Sequence, residues 1–290
     1  MASIRYDKIP LIIEYGARTE KILAYDCSLS QAADLQPVKA IGFHGAAEQT
    51  PQGARTSSIS FSYTPVLTGI VNTKYGSTGS FNTINEIASG LKNSKKSQTS
   101  GVMIKFGGIS GEGLLSQYSL SMQPYSPVTC NVNFELFGTG TYVPISGELQ
   151  ESVIPKKDQD LANSVGHSAY SAFMTANSPA TITSDSQTGV LQSVEYNINF
   201  AYQPVYKLGQ EFPSSFLYHS AVEEASITEN VFETGIAFTG KAENFKLNVK
   251  SLDNNNAMVI EMNRPVLSNN QLSVNANQIA DSNKTIRSFY

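Results

Sequence analysis

The chain has 290 residues, 40% hydrophobic and only 15% charged, with a formal net charge of −4. That length is comfortable for two domains and the apolar content fills real cores, while so weakly charged a surface repels copies of itself little; a Ser/Thr-rich soluble β-domain has the same composition. No cationic run goes beyond Lys95-Lys96 and Lys156-Lys157, which argues against a dedicated nucleic-acid groove, since such a groove needs clustered cations to displace counterions from phosphates.

The first residues, Met1 to Asp7, lack the basic head and apolar core of a signal peptide. No stretch approaches 18 apolar residues, so no transmembrane helix is expected and folding in a cytoplasm is. The dominant period is two, that of half-buried strands. Leu23, Tyr25, Cys27 and Leu29 alternate with small or polar residues, and Ile59, Phe61 and Tyr63 alternate with serines. Between Ser80 and Asn93 the pattern changes: Ile84, Ile87, Ala88 and Leu91 fall at i, i+3, i+4 and i+7, predicting one short helix near 81–93 packed on a sheet. Ser80 or Asn82 would cap it, Glu86 suits its first turn, and Gly90 weakens it by roughly 1 kcal/mol relative to Ala. A polar loop, Ser94 to Ser100, follows. Gly107 to Gly113 reads as a hairpin loop rather than a phosphate cradle, because strand pattern and not a helix comes next.

Period two resumes at Tyr118, Leu120 and Met122, then at Cys130, Val132, Phe134 and Leu136. Glu148 to Ser184 is mixed in character and reads as a linker or excursion, with a helical or irregular stretch around Asp158 to Ala176. The longest alternation is Val194, Tyr196, Ile198, Phe200 and Tyr202; Phe245–Val249, Met258–Met262 and Leu272–Val274 complete the set around a turn at Asp253–Asn256. Asn275 to Tyr290 is Asn-rich and polar, ending in Ile286, Phe289 and Tyr290, and reads either as a docking arm or as a frayed tail. The expected fold is all-β with one short helix: antiparallel β-sandwich or barrel modules, two in tandem. Residues 1–147 form the first, 148–184 the connection, and 185–290 the second with its C-terminal arm.

A repeat links the two regions. Gln36-Pro37-Val38-Lys39-Ala40-Ile41-Gly42 resembles Gln203-Pro204-Val205-Tyr206-Lys207-Leu208-Gly209. Upstream, Leu23, Cys27, Leu29, Ala33 and Leu35 align with Val190, Val194, Tyr196, Phe200 and Tyr202, with Gln31 against Ile198 a mismatch. Proline bends both strands at the same place. The match is either a duplication or a coincidence of two β-rich segments.

Signals of chemistry are thin. His44, His167 and His219 are far apart and none lies at ligand spacing from a Cys, Asp or Glu. No Gly-x-Ser-x-Gly elbow or Walker lysine motif occurs. Cys27 and Cys130 sit on the apolar phase and read as buried free thiols. The adjacent Glu223 and Glu224 point to opposite faces of a strand and read as solvated charges. Tyr125, Phe137, Tyr206 and Tyr218 fall off phase or in loops, where Tyr marks interfaces. The reading is a non-enzyme with no cofactor and no metal.

The order of strands, long loop, short helix, polar loop and hairpin strands over residues 10–140, with the Ser-rich alternation of Leu114 to Thr129, resembles the tail tube module of bacteriophages. The resemblance implies β-sandwich modules with a flanking helix, joined edge to edge into rings that stack through loops and arms. It implies an acidic lumen through which genomic DNA passes without being gripped. Two tandem modules would let a trimer build a ring that otherwise takes six copies. Partners would be copies of the chain and other phage structural proteins, with no membrane, in a virion assembled in a host cytoplasm. A tail adaptor, baseplate or capsid decoration protein, or a carbohydrate- or cell-surface-binding β-sandwich, is the alternative. The expected assembly contacts are His44 to Arg55, Lys95 and Lys96 in the polar loop, and Ile286, Phe289 and Tyr290 at the tip.

Overall fold

The structure, a computed structural model, describes residues 11–16, 18–22, 24–33, 35–39, 41–42, 44, 48–51, 56–64, 66–67, 83–93, 101–137, 145–148, 171–172, 180–184, 189–209, 212–231, 240, 242–250, 257–274 and 279–290. In chain order the elements are β1 (Leu11–Tyr15), β2 (Arg18–Ile22), β3 (Ala24–Ala32), β4 (Leu35–Val38), β5 (Glu48–Pro51), β6 (Thr56–Tyr63), β7 (Val66–Leu67) and helix α1 (Thr83–Asn93). There follow β8 (Val102–Phe106), β9 (Ile109–Met122), β10 (Thr129–Leu136), β11 (Ser171–Ala172), β12 (Ala180–Ser184) and β13 (Gly189–Val205). The chain ends with β14 (Ser215–Val231), β15 (Phe245–Lys250), β16 (Ala257–Glu261), β17 (Val266–Ser273) and β18 (Ala280–Phe289).

The molecule is thus all-β with one short helix among the described residues, as the periodicity predicts. Eleven strands form one antiparallel sheet whose main path runs β17-β18-β14-β13-β9-β10-β6-β3, with β8, β1 and β2 branching from the start of β9. The sheet is open: β17 and β3 end the path, and among the described residues nothing closes it into a barrel. β8 and β9 turn through Gly107 and Gly108 alone; Ile109 to Gly113, expected within the hairpin loop, already pair with β8 as the start of β9.

Register decides which residues meet. On the inner face, Cys27, Phe61, Val132, Tyr118 and Ile198 lie opposite one another across β3, β6, β10, β9 and β13. Helix α1 and a three-stranded sheet, β12-β15-β16, cover that face. Ile84, Ile87, Ala88 and Leu91 of the helix are buried with Phe245, Leu247 and Ile260 of the small sheet in one core. Burying each such side chain contributes about 1.5–3 kcal/mol against a large entropy cost. The result is a sandwich-like stack in which no described element covers the other face of the main sheet.

Two expectations are corrected. The alternation of the first region continues into the second through direct pairing of β9 with β13, from Val194 opposite Met122 to Asn199 opposite Gln117, so both β-rich regions contribute to one sheet. The expected C-terminal arm is, over Ala280–Phe289, an interior strand held between β17 and β14. Its inward positions carry Ser282, Lys284, Ile286 and Ser288, all buried, so the apolar alternation that marks other strands is missing. Residues 158–170 and the turn at 253–256 lie outside the described residues; Ser171 and Ala172 form β11.

Gly113 is paired on both edges, to Val102 and to Leu136. A Cβ there would stand 2.8 Å from Leu136 Cδ2 and 3.0 Å from the Glu135 carbonyl oxygen. Gly113→Val is expected to lower stability by about 1–3 kcal/mol, the usual overpacking cost, read as a lower urea midpoint at unchanged slope.

Candidate functional surface

The bare face of the sheet is built from the residues that alternate with the core. One row crosses all eight strands of the path: Asp26, Ser62, Asn131, Ser119, Asn197, Glu224, Arg287 and Val266. The next runs Ser28, Ser60, Asn133, Gln117, Asn199, Val222 and Phe289. Short polar side chains at cross-strand positions bond to one another. Ser28 Oγ lies 2.7 Å from Ser60 Oγ, and Asp26 accepts from the Ser62 hydroxyl at 2.6 Å and its backbone N–H at 3.0 Å. Asn131 donates to Ser119 at 3.3 Å, Gln117 to Asn197 at 3.4 Å, and Thr228 to Asn283 at 2.9 Å.

Charge on this face has one dominant sign. By register it carries the carboxylates Asp26, Glu135, Glu195, Glu224 and Asp281, against the guanidinium of Arg287. Arg287 donates to Glu224 at 2.6 Å, so its charge is already matched. Phosphate binding draws on cations free to displace counterions, and among the described residues of these eight strands this face offers none beyond Arg287.

The opposite face holds a buried polar node instead. Glu223 is fully buried; it is not the solvated charge expected from its position beside Glu224. Its Oε1 accepts from Lys92 Nζ at 2.7 Å and from the Tyr196 hydroxyl, and its Oε2 accepts from the Tyr290 hydroxyl. Lys92 also donates to the Glu261 carbonyl at 2.9 Å, and Tyr290 accepts from the Asn263 N–H at 2.7 Å. Burial, then the Glu223 charge, pushes the Tyr196 hydroxyl well above its ordinary pKa; Tyr290 is raised as well, by burial and by its bond to Glu223. The node ties α1, β13, β14 and the chain's last residue together. Nearby, Lys284 and Glu229 form a second buried pair at 2.8 Å.

The expected contact residues are not brought together. His44 is exposed in the segment joining β4 and β5. Arg55, Lys95 and Lys96 lie outside the described residues. Ile286 is fully buried in β18, Phe289 is 74% exposed on the bare face, and Tyr290 reaches into the node. What sequence reasoning missed is that β3 and β17 end the path of the main sheet among the described residues, because a period-two run looks the same at the edge of a sheet as in its middle. Both cysteines are free, Cys130 buried and Cys27 half-buried. Burial pushes both thiols up to about 12, with the Asp26 charge adding to the effect at Cys27. At pH 8 both are therefore expected to resist iodoacetamide in the folded protein and to react at ordinary thiol rates in urea, since only the thiolate attacks; mass spectrometry reads the difference.

Among the described residues no cluster of His, Cys, Asp or Glu is arranged to hold a metal ion, and no helix is long and apolar enough to cross a membrane. Compared with known proteins, the sequence matches no family model and no curated protein.

Proposed function

We propose that this chain is a virion structural protein that assembles with copies of itself into rings or a tube of a phage tail, with the bare face of the sheet lining a conduit for DNA. The observation that carries the reading is that face: eight strands wide, built of Ser, Asn, Gln and Thr, acidic in balance, and with its one arginine paired to a carboxylate. Such a wall repels phosphate weakly and offers nothing to grip it, so a duplex slides past rather than sticking. A face left uncovered on an otherwise two-layered molecule, bounded by two open sheet edges, also suits a subunit whose neighbours complete it. The tail tube resemblance of residues 10–140 points the same way.

Mass photometry over a concentration series tests this. Discrete species at multiples of the 31.4 kDa chain, growing with concentration, are expected; a monomer at every concentration would overturn self-assembly.

One observation favours a second reading, a carbohydrate-binding sandwich. A cleft of about 460 Å3 lies between the far end of the β13–β14 hairpin and strands β3, β6 and β10, with Tyr202 and Tyr206 facing Ser58, Asn133 and Glu135. Aromatic and hydroxyl-bearing walls of that size suit a sugar ring. A monomer that binds neutral disaccharides in calorimetry would favour it.

A further inference from the structure

The main sheet repeats itself. Its path reads, from one end, β3-β6-β10-β9 and then β13-β14-β18-β17. The first pair of each set is a hairpin, in the same register near its turn and offset by one residue on the returning strand farther along. Cys27 opposite Phe61, Leu35 opposite Pro51 and Val38 opposite Glu48 correspond to Val194 opposite Ile227, Tyr202 opposite Tyr218 and Val205 opposite Ser215. Each hairpin strand ends in Gln-Pro-Val and turns at a glycine with positive φ, Gly42 at 90° and Gly209 at 81°.

The second pair of each set matches in finer detail. β9 bulges against β10 at Ser116, between Leu115 opposite Phe134 and Gln117 opposite Asn133. β17 bulges against β18 at Ser268, between Leu267 opposite Ile286 and Asn269 opposite Thr285. The Ser116 hydroxyl donates to the Asn133 carbonyl at 3.0 Å, and the Ser268 hydroxyl to the Thr285 carbonyl at 2.9 Å. One displacement along the sequence carries all five residues of the first bulge onto the second. A bulge is a specific local device, and the same one with the same hydrogen bond does not recur by period-two composition alone.

The two sets are joined inside the chain by β9 pairing with β13. Their counterparts, β17 and β3, are the two ends of the path. In β9, the residues that pair with β13 are Gln117 to Met122; their counterparts are Asn269 to Val274. β8 covers the start of β9 up to Gly113, and Gly240, Ala242 and Glu243 bond to the start of β17 at Leu267, Val266 and Pro265 in a similar way. Beyond Leu267, no strand among the described residues pairs with the outer edge of β17.

We infer that the internal seam is the template for the contact between chains: β17 of one copy pairs antiparallel with β3 of the next, placing Val274 opposite Cys27, Ser273 opposite Ser28, Leu272 opposite Leu29 and Gln271 opposite Ser30. This deepens, and rests on, the self-assembly reading above. The chemistry of the two edges agrees position by position. On the core side, Leu272 and Val274, 53% and 70% exposed, meet the half-buried Leu29 and Cys27. On the bare side, Ser and Gln meet Ser, extending the polar rows across the seam as β9 and β13 do within the chain. The contact is head to tail, so it repeats until a ring closes or a helix grows, and it leaves neither end of the eight-strand path open.

Two engineered pairs test the register, with oxidation by copper phenanthroline read on non-reducing gels of the full chain. Ser28→Cys with Ser273→Cys places two thiols opposite each other on the water-facing side, and Val274→Cys uses the native Cys27. Both are expected to give covalent multimers, the Cys27 pair more slowly because burial holds that thiol up, while Gln271→Cys, three positions from Val274 and on the other face of the sheet, does not link to Cys27. If the wild type assembles by mass photometry yet neither pair cross-links, the seam lies elsewhere and the inference falls alone. If the wild type stays monomeric, the self-assembly reading falls with it.

Discussion

Replacing Glu223 by alanine is expected to destabilise the fold by about 3–5 kcal/mol, the cost of breaking a buried ion pair by removing one partner. The reason lies in what the carboxylate holds. Lys92, with its side chain 8% exposed, keeps its ammonium in a site where Glu223 supplies the opposite charge. The hydroxyls of Tyr196 and Tyr290 both end on the same carboxylate. Alanine leaves a buried cation and two donors facing a void. The measurement is urea unfolding, where the midpoint falls at unchanged slope. Lys92→Met combined with Glu223→Leu should recover most of the loss, because an apolar pair of similar volume is often neutral. Recovery stays short of complete by about 1–3 kcal/mol, since the Tyr196 hydroxyl remains buried without its acceptor. A loss below about 1 kcal/mol for Glu223→Ala would mean that water fills the site and the node is not a structural tie.

The node also has a pH signature. Tyr196 and Tyr290 have pKa values raised in the fold, so the folded state holds their protons more tightly than the unfolded chain. Their contribution is complete below the unfolded tyrosine value of about 10 and is lost as pH rises through the folded values. Stability is therefore expected to fall above that pH, and less steeply in Tyr196→Phe.

Lys284→Met is the second large effect, again about 3–5 kcal/mol. Lys284 and Glu229 are both 1% exposed, and their charged atoms lie 2.8 Å apart between β18 and β14. Methionine keeps the volume but strips Glu229 of its cation in a dry site. Pairing Lys284→Met with Glu229→Leu turns the position apolar, and the coupling across that double-mutant cycle should restore most of the stability. Additive losses would show that the two charges act independently.

These two buried pairs explain what could and could not be read in the sequence. β10 was legible because Cys130, Val132, Phe134 and Leu136 fill its inward positions, and α1 because its apolar residues keep helical spacing. β14 and β18 were not. Their inward positions carry Glu223, Glu229, Ser282, Lys284 and Ser288 beside small or aliphatic residues, and those polar groups are compatible with burial only because each strand and the helix supply the other's partner. Nothing local in either segment announces that. The repeat was half legible for a similar reason. Gln-Pro-Val stands out in both hairpins, whereas Leu115-Ser116-Gln117 and Leu267-Ser268-Asn269 are too short to align by eye; the shared bulge and its hydroxyl bond become visible only in three dimensions. The order of strands, and with it the identity of β3 and β17 as edges, is set by long-range pairing that period two does not encode.

Electron microscopy of the purified protein, at the highest concentration at which it stays clear, tests self-assembly around a polar lumen. Rings or short tubes with a central hole are expected, with the polar rows of β3, β6, β10, β9, β13, β14 and β18 facing that hole. Single particles of one chain, or assemblies in which the polar face points outward, would contradict it.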